Sequence, residues 1–422
     1  MKKNAFTLVE LLAVIAILTI IMVISVPQLI TSLKNKKTDA LEKTKDLLIS
    51  AARNYVIDYE LKVPTSISIE TLCKNDYLEC PIKNPIDNSN LNGYVNVDDN
   101  KVYVYSDTRD YITIKDYIID LYNDESLRTS NGLKKDNTVD TNIRYYGSDP
   151  NNYVRFNNEL WRIIGVFGNN VKLVRKDSLG ELSWDSSDSS INKGNGINQW
   201  GESTYGDGSY YEGADLQVYL NKMYYGGVET TCYNGADNSE TTCPTNTLDR
   251  TAKLLIDKHT WSLGAIEMSI EDTISFYNAE RGTANGKTCT SGTYCNDTVI
   301  RTTKWTGYVA LPYITDWAYA SSESACETNI QTKDSSNLFV CKNNNWMQRS
   351  DWTWYLSPSG QSADASNAWA VSGNNNYVYY RMFGAMNKFA SYGSNVAPSI
   401  YLKSSVLMKG GTGTSSDPYK LA

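Results

Sequence analysis

The stretch KKNAFTLVELLAVIAIL, Lys2 to Leu18, decides how the rest of the chain is read. It opens an apolar run from Leu8 to Leu33. At about 1.5 Å of rise per residue, roughly twenty such residues cross ~30 Å of hydrocarbon as one helix. The run is therefore expected to span a bilayer over residues 8–29. Glu10 stands within it, and a carboxylate in hydrocarbon costs on the order of 2.5 kcal/mol, so it needs a partner.

The run continues through ISVPQLITSL, Ile24 to Leu33, without the small-residue exit of a cleaved secretory signal. It is expected to stay in the mature protein. Lys2 and Lys3 place the start in the cytoplasm, although KNKK, Lys34 to Lys37, weakens that asymmetry. Pro27 removes a helical hydrogen bond and predicts a bend near the exit from the bilayer. Beyond it Leu33, Leu41, Leu48, Ala52, Tyr55 and Tyr59 recur at helical steps, which carries one amphipathic helix to about Tyr59.

The 422 residues allow two or three domains. A formal charge of −7 argues against nucleic acid as a partner, since phosphate binding needs a dense basic face. Eight cysteines fall into sequence-close couples: Cys73 with Cys80, Cys232 with Cys243, Cys289 with Cys295, and Cys326 with Cys341. Local disulfides in an oxidising compartment are expected, each worth about 2–3 kcal/mol. Zinc is disfavoured because no couple has two-residue spacing and His259 is the single histidine. No metal or cofactor is expected.

After the helix, LNGYVNVDDNKVYVYSD alternates valine and tyrosine around Asp98-Asp99-Asn100, which predicts a hairpin in a small α+β head. YITIKDYIIDLYND reads as an amphipathic helix, and ESLRTSNGLKKDNTVDT as a polar linker, with the main boundary near residue 140. IRYYGSDPNNYVRFNNELWRIIGVFGNNVKLVRKD then starts a fresh strand-heavy domain. GADLQVYLNKMYY and AIEMSIEDTISFYNAERG are its expected helices, and NNNYVYYRMFG and APSIYLKSSVLM expected strands.

NAFTLVELLAVIAILTIIMVISVPQL closely resembles the N-terminus of type IV prepilins and of the pseudopilins of type II secretion and competence systems. The resemblance covers roughly the first sixty residues. It implies that prepilin peptidase cuts between Ala5 and Phe6 and methylates the new amine of Phe6. Ala5 stands where the family usually has glycine and is small enough for the same tight site. The resemblance also supplies the partner of Glu10: the positive amine of Phe6 on a neighbouring subunit, a pairing that low dielectric strengthens and that sets helix register. Pro27 lies where pilin helices kink. The competing reading is an ordinary signal anchor whose glutamate falls near the headgroups.

LWRIIGVF, VKLVRKDSLGELSWD, YLNKMYY, TDWAYASSESAC, WYLSPSG and APSIYLKSSVLMKGGTGTSSDPYKL resemble segments of prepilin-like proteins from Gram-positive and wall-less bacteria, over most of residues 144–422. The tryptophan- and glycine-marked segments are loosely similar to C-type-lectin-like and formylglycine-enzyme-like folds.

Little points to catalysis. His259 has no triad setting, and KGGTGTSSDPYK lacks the spacing of a nucleotide loop and reads as a hairpin before a closing edge strand. VDDN and DSSDSS lack an EF-hand ladder and read as solvated turns. Trp346, Trp352, Trp354, Trp369, Tyr377, Tyr379 and Tyr380 either stack on sugar rings or pack a β core, with the core favoured.

The chain is thus expected to be α+β: leader 1–5, helix 6–60, pilin-like head and linker 61–140, and a disulfide-bearing strand-rich domain 141–422. The expected role is a non-enzymatic type IV pilin-like or pseudopilin subunit, membrane-held and then on the surface. Its partners would be prepilin peptidase, other pilin subunits, the lipid membrane and surface glycans. The alternatives are a tethered adhesin or glycan-binding protein that never polymerises, a minor pseudopilin, and an enzyme using the distal fold.

Overall fold

The structure is a computed structural model. It describes residues 8–185, 200–204, 210–211, 213–235, 239–266, 270, 272–284, 287–288, 303–328, 330, 341–358, 368–371, 378–381 and 393–422. At 20, 22–28, 30–31, 203–204, 210–211, 283–284, 287–288, 358 and 378–381 only the backbone is described. The chain is mixed α+β and forms two compact units, Met1–Ile112 and Thr113–Ala422.

In the first unit a single helix, α1, runs from Leu8 to Asp58 and continues through Pro27. Leu48, Ala51, Ala52 and Val56 are buried, at the steps of one helical face. They pack on Ile67, Leu72, Val95 and Val97. Burying a leucine or valine stabilises by about 1.5–3 kcal/mol, so Leu48 and Val56 anchor this end. Leu33 and Tyr59, expected on the same stripe, are exposed. Only the last turns of α1 meet the sheet.

That sheet has three antiparallel strands in the order β1 (Thr65–Ser68), β2 (Tyr94–Val97), β3 (Tyr103–Ser106). Asp98 closes the predicted hairpin by accepting the N–H groups of Asn100 at 2.9 Å and Val102 at 2.8 Å. Such a side chain satisfies turn donors that neither strand can reach. Ser68 likewise caps the short helix Ile69–Lys74, its Oγ accepting Thr71 N–H at 3.0 Å.

The second unit is built on an eight-stranded sheet. Its central hairpin pairs Glu159–Phe167 with Asn170–Arg175 across a two-residue turn, where Gly168 takes φ +56° as tight hairpin turns require. Ser399–Leu402 lies antiparallel beside Asn170–Arg175, and Tyr419–Lys420 pairs in parallel with Tyr153–Phe156. The latter is the closing strand expected after the glycine-rich turn. A five-stranded sheet orders Glu181–Leu182, Ser394–Asn395, Thr353–Pro358, Ala368–Val371 and Val378–Arg381.

YITIKDYIIDLYND forms the helix Ile114–Asn123, which buries Ile114, Ile118 and Leu121 in the core of this second unit. The stretch read as a polar linker is folded: it holds the helix Glu125–Ser130 and the strand Leu133–Lys135, and buries Leu133, Asp136 and Thr138. Its polarity misled because Asp136 is sequestered by a charge partner rather than by water.

Candidate functional site

Glu10 lies in the first turn of α1 and is exposed. Around it Leu8, Val9, Leu11, Leu12, Val14, Ile15, Ile17, Leu18 and Ile21 are all exposed as well. Apolar surface on every side of a helix marks a segment made to meet lipid or other helices. Among the described residues, no helix is long and apolar enough to cross a membrane. Positions 20 and 22–28, inside the expected span, are described as backbone only. Ala5 and Phe6, the expected processing site, lie outside the described residues.

Three of the four expected disulfides are present: Cys73–Cys80, Cys232–Cys243 and Cys326–Cys341, with Cα separations of 5.8, 5.2 and 5.2 Å. Cys289 and Cys295 lie outside the described residues.

The aromatic tail is core. Trp354 and Trp369 have no exposed surface, and their indole N–H groups donate to Leu182 O and Ile266 O. Trp346 is buried and donates to Tyr145 O at 2.9 Å. Trp352 packs half-buried against the same interior. Tyr377 lies outside the described residues, and Tyr379 and Tyr380 are described as strand backbone. His259 sits half-buried in the strand His259–Ser262, stacked on Tyr401 at 3.7 Å. Burial lowers its pKa, against the pull of Asp257.

The family model described as the prokaryotic N-terminal methylation motif matches residues 1–26. The chain carries a type IV prepilin-type N-terminus. No curated protein and no solved structure matches it. The resemblance seen over residues 144–422 is thus not matched by these comparisons. The motif supports a type IV pilin-like protein processed by prepilin peptidase, and implies one anchored in the membrane and then exposed at the surface. In that N-terminus, Leu8–Val26 of the matched motif already belong to α1.

Sequence reasoning missed the polar centre of this prepilin-type chain's second unit. Arg144 Nε donates to Asp136 Oδ2 at 2.6 Å and its Nη1 to Asp316 Oδ1 at 2.8 Å, while Lys172 Nζ reaches Asp316 Oδ2 at 2.5 Å. Nearby, Glu280 accepts Thr315 N–H at 3.1 Å and pairs with Arg281 at 2.9 Å. The rings of Phe167 and Tyr319 each lie 4.7 Å from the Arg144 guanidinium, and Tyr313 lies 4.1 Å from Lys172 Nζ. Burial lowers the Lys172 pKa to about 8, a fall that Asp316 opposes. Burial would raise the Asp316 carboxyl, but Lys172 and Arg144 outweigh it and hold it low. Burial raises Glu280. Three cations face three carboxylates, and all but Arg281, which is 19% exposed, have almost no exposed surface, which makes this a staple joining sheet to helix. The available clue was VKLV, where a lysine sits among strand residues that are apolar on both faces.

Proposed function

We propose that this chain is a type IV pilin-like or pseudopilin subunit, which assembles through α1 and presents its second unit outside the cell. The methylation motif running directly into α1 carries this reading. Before assembly the apolar run from Leu8 rests in the bilayer over residues 8–29. On assembly Leu12, Ile15, Ile17, Leu18, Ile20 and Ile21 exchange lipid for neighbouring helices, so little apolar burial is lost. Glu10 pairs with the methylated amine of Phe6 on a neighbour and penalises misregistered helices. The protein has no catalytic role; its work is assembly and display.

The test is mass spectrometry of the N-terminal peptide from membrane and sheared-surface fractions. N-methylated Phe6 without residues 1–5 is the expected result. An intact Met1 in both fractions would make the chain a signal-anchored surface protein, the tethered adhesin or glycan-binding reading, and remove the partner assigned to Glu10.

A further inference from the structure

A cavity of about 200 Å³ opens in the second unit between the hairpin strands Glu159–Phe167 and Asn170–Arg175, the loop Trp346–Arg349 and the strand Thr353–Pro358. Arg162, Arg175, Lys176 and Arg349 line it, and no acidic residue does. Three of these cations already have carboxylates: Arg162 pairs with Asp149 at 3.1 Å, Arg175 with Glu159 at 2.8 Å, and Lys176 with Asp177 at 3.2 Å. Arg349 differs. Its Nη1 and Nη2 donate to the main-chain carbonyls of Lys176 at 2.6 Å and Arg175 at 2.7 Å. Among the described residues no carboxylate forms an ion pair with it. Four cations against three carboxylates leave one positive charge in excess.

We propose that this cavity binds an oxyanion, a carboxylate or phosphate carried on a small polar body. Arg349 is pre-set for the role, because two carbonyls, each taking one N–H from a terminal nitrogen, fix the guanidinium before any ligand arrives, and its remaining N–H groups can meet the oxygens of such a group. Arg162 is held equally firmly, over Trp346 at 4.8 Å and Tyr153 at 4.0 Å. Burial disfavours the charge of Arg349, as it does that of Arg162, on which Arg349 also acts as a like charge. An anion between them relieves both costs. Pockets that enclose drug-sized ligands measure roughly 300–1,000 Å³, so this one admits a single charged group and its nearest neighbours. The site does not depend on filament entry and goes beyond the assembly reading.

The experiment is calorimetric titration of the full chain in detergent, at low salt, with glucuronate, inorganic phosphate and glucose. One saturable site for glucuronate or phosphate, and none for glucose, is expected. Tighter glucuronate binding identifies a carboxylated sugar as the source, and tighter phosphate binding a phosphate ester. Arg349→Gln should weaken binding by about tenfold or more, the loss of a charged hydrogen bond. Lys176→Gln changes a side chain that is 41% exposed, so the fold is kept, and should weaken binding by about threefold. If Arg349→Gln does not fold, Lys176→Gln alone decides. No saturable binding of either anion, or binding unchanged in the folded variants, overturns the proposal.

Discussion

Lys172 and Asp316 meet at 2.5 Å with neither side chain exposed, 144 residues apart in sequence. One belongs to the central hairpin strand Asn170–Arg175 and the other to the helix Ile314–Tyr319. Asp316 also holds Arg144, so a single carboxylate bridges two buried cations, the second of which Asp136 pairs as well. Asp316→Ala strands Lys172 and leaves Arg144 with Asp136 alone, and removing one partner of a buried pair costs about 3–5 kcal/mol. Thermal unfolding of the variant should show that loss; a change under about 1 kcal/mol, the scale of exposed pairs, would contradict the staple.

The same group sets an acid limit. Asp316 and Asp136 titrate below the ordinary 3.8 when folded, both held down by Arg144, and Asp316 by Lys172 as well, against the upward push of burial. On acidification the unfolded chain takes up those protons first, so their stabilisation is present above about pH 4 and lost below it. Glu280, raised by burial, acts in the opposite sense. Melting temperature should fall between about pH 5 and pH 3, and less steeply in Asp316→Asn. Equal slopes in the two proteins would remove Asp316 from the account.

Gly165 sits at the bulge of the central hairpin, where an added Cβ would lie 2.1 Å from the main-chain oxygen of Ile143. Backbone cannot yield as a side-chain tip does. Gly165→Ala should destabilise by about 1–3 kcal/mol, read by denaturant titration. Gly168→Asn in the adjoining turn is the contrast: asparagine tolerates the left-handed conformation there, and open space surrounds the position. It should cost far less.

The periodic elements were legible in the sequence: α1, the Asp98 hairpin and the helix Ile114–Asn123 all follow from spacing and turn chemistry. The polar centre was not. Asp136, Arg144, Glu280 and Asp316 lie on separate elements, and nothing local in DNTVD or TDWAY marks an aspartate that charge will sequester. Arg349 was hidden for the same reason, since its neighbours in space are the carbonyls of residues 175 and 176.

The disulfides should stabilise according to the loops they close. Cys326 and Cys341 are 15 residues apart and Cys73 and Cys80 only 7. In the chain-entropy picture the longer loop contributes about 3 kcal/mol and the shorter somewhat less. Paired cysteine-to-serine variants, melted with and without reductant, should rank in that order, and a variant as stable as the parent would speak against its bridge. Non-reducing peptide mapping should recover Cys289 joined to Cys295.

Glu10→Ala should leave membrane insertion and the fold of both units intact while lowering the yield of sheared filaments several-fold. Immunoblots of membrane and sheared fractions measure this directly. Filament yield equal to the parent would remove the register role of the carboxylate.

Ser399–Leu402 lies between Val309–Ala310 and Asn170–Arg175, and Ser399 Oγ donates to Leu173 O across 226 residues of sequence. Synthesis therefore delivers five of the eight strands of the large sheet long before Ser399–Leu402 and Tyr419–Lys420 arrive. A nascent chain moving outward must carry residues 133–175 unclosed until residue 402 has followed, and sheets joined over such distances form slowly. The second unit therefore completes its fold only after nearly all of its length has been made, and stays unfolded and threadable through most of its synthesis.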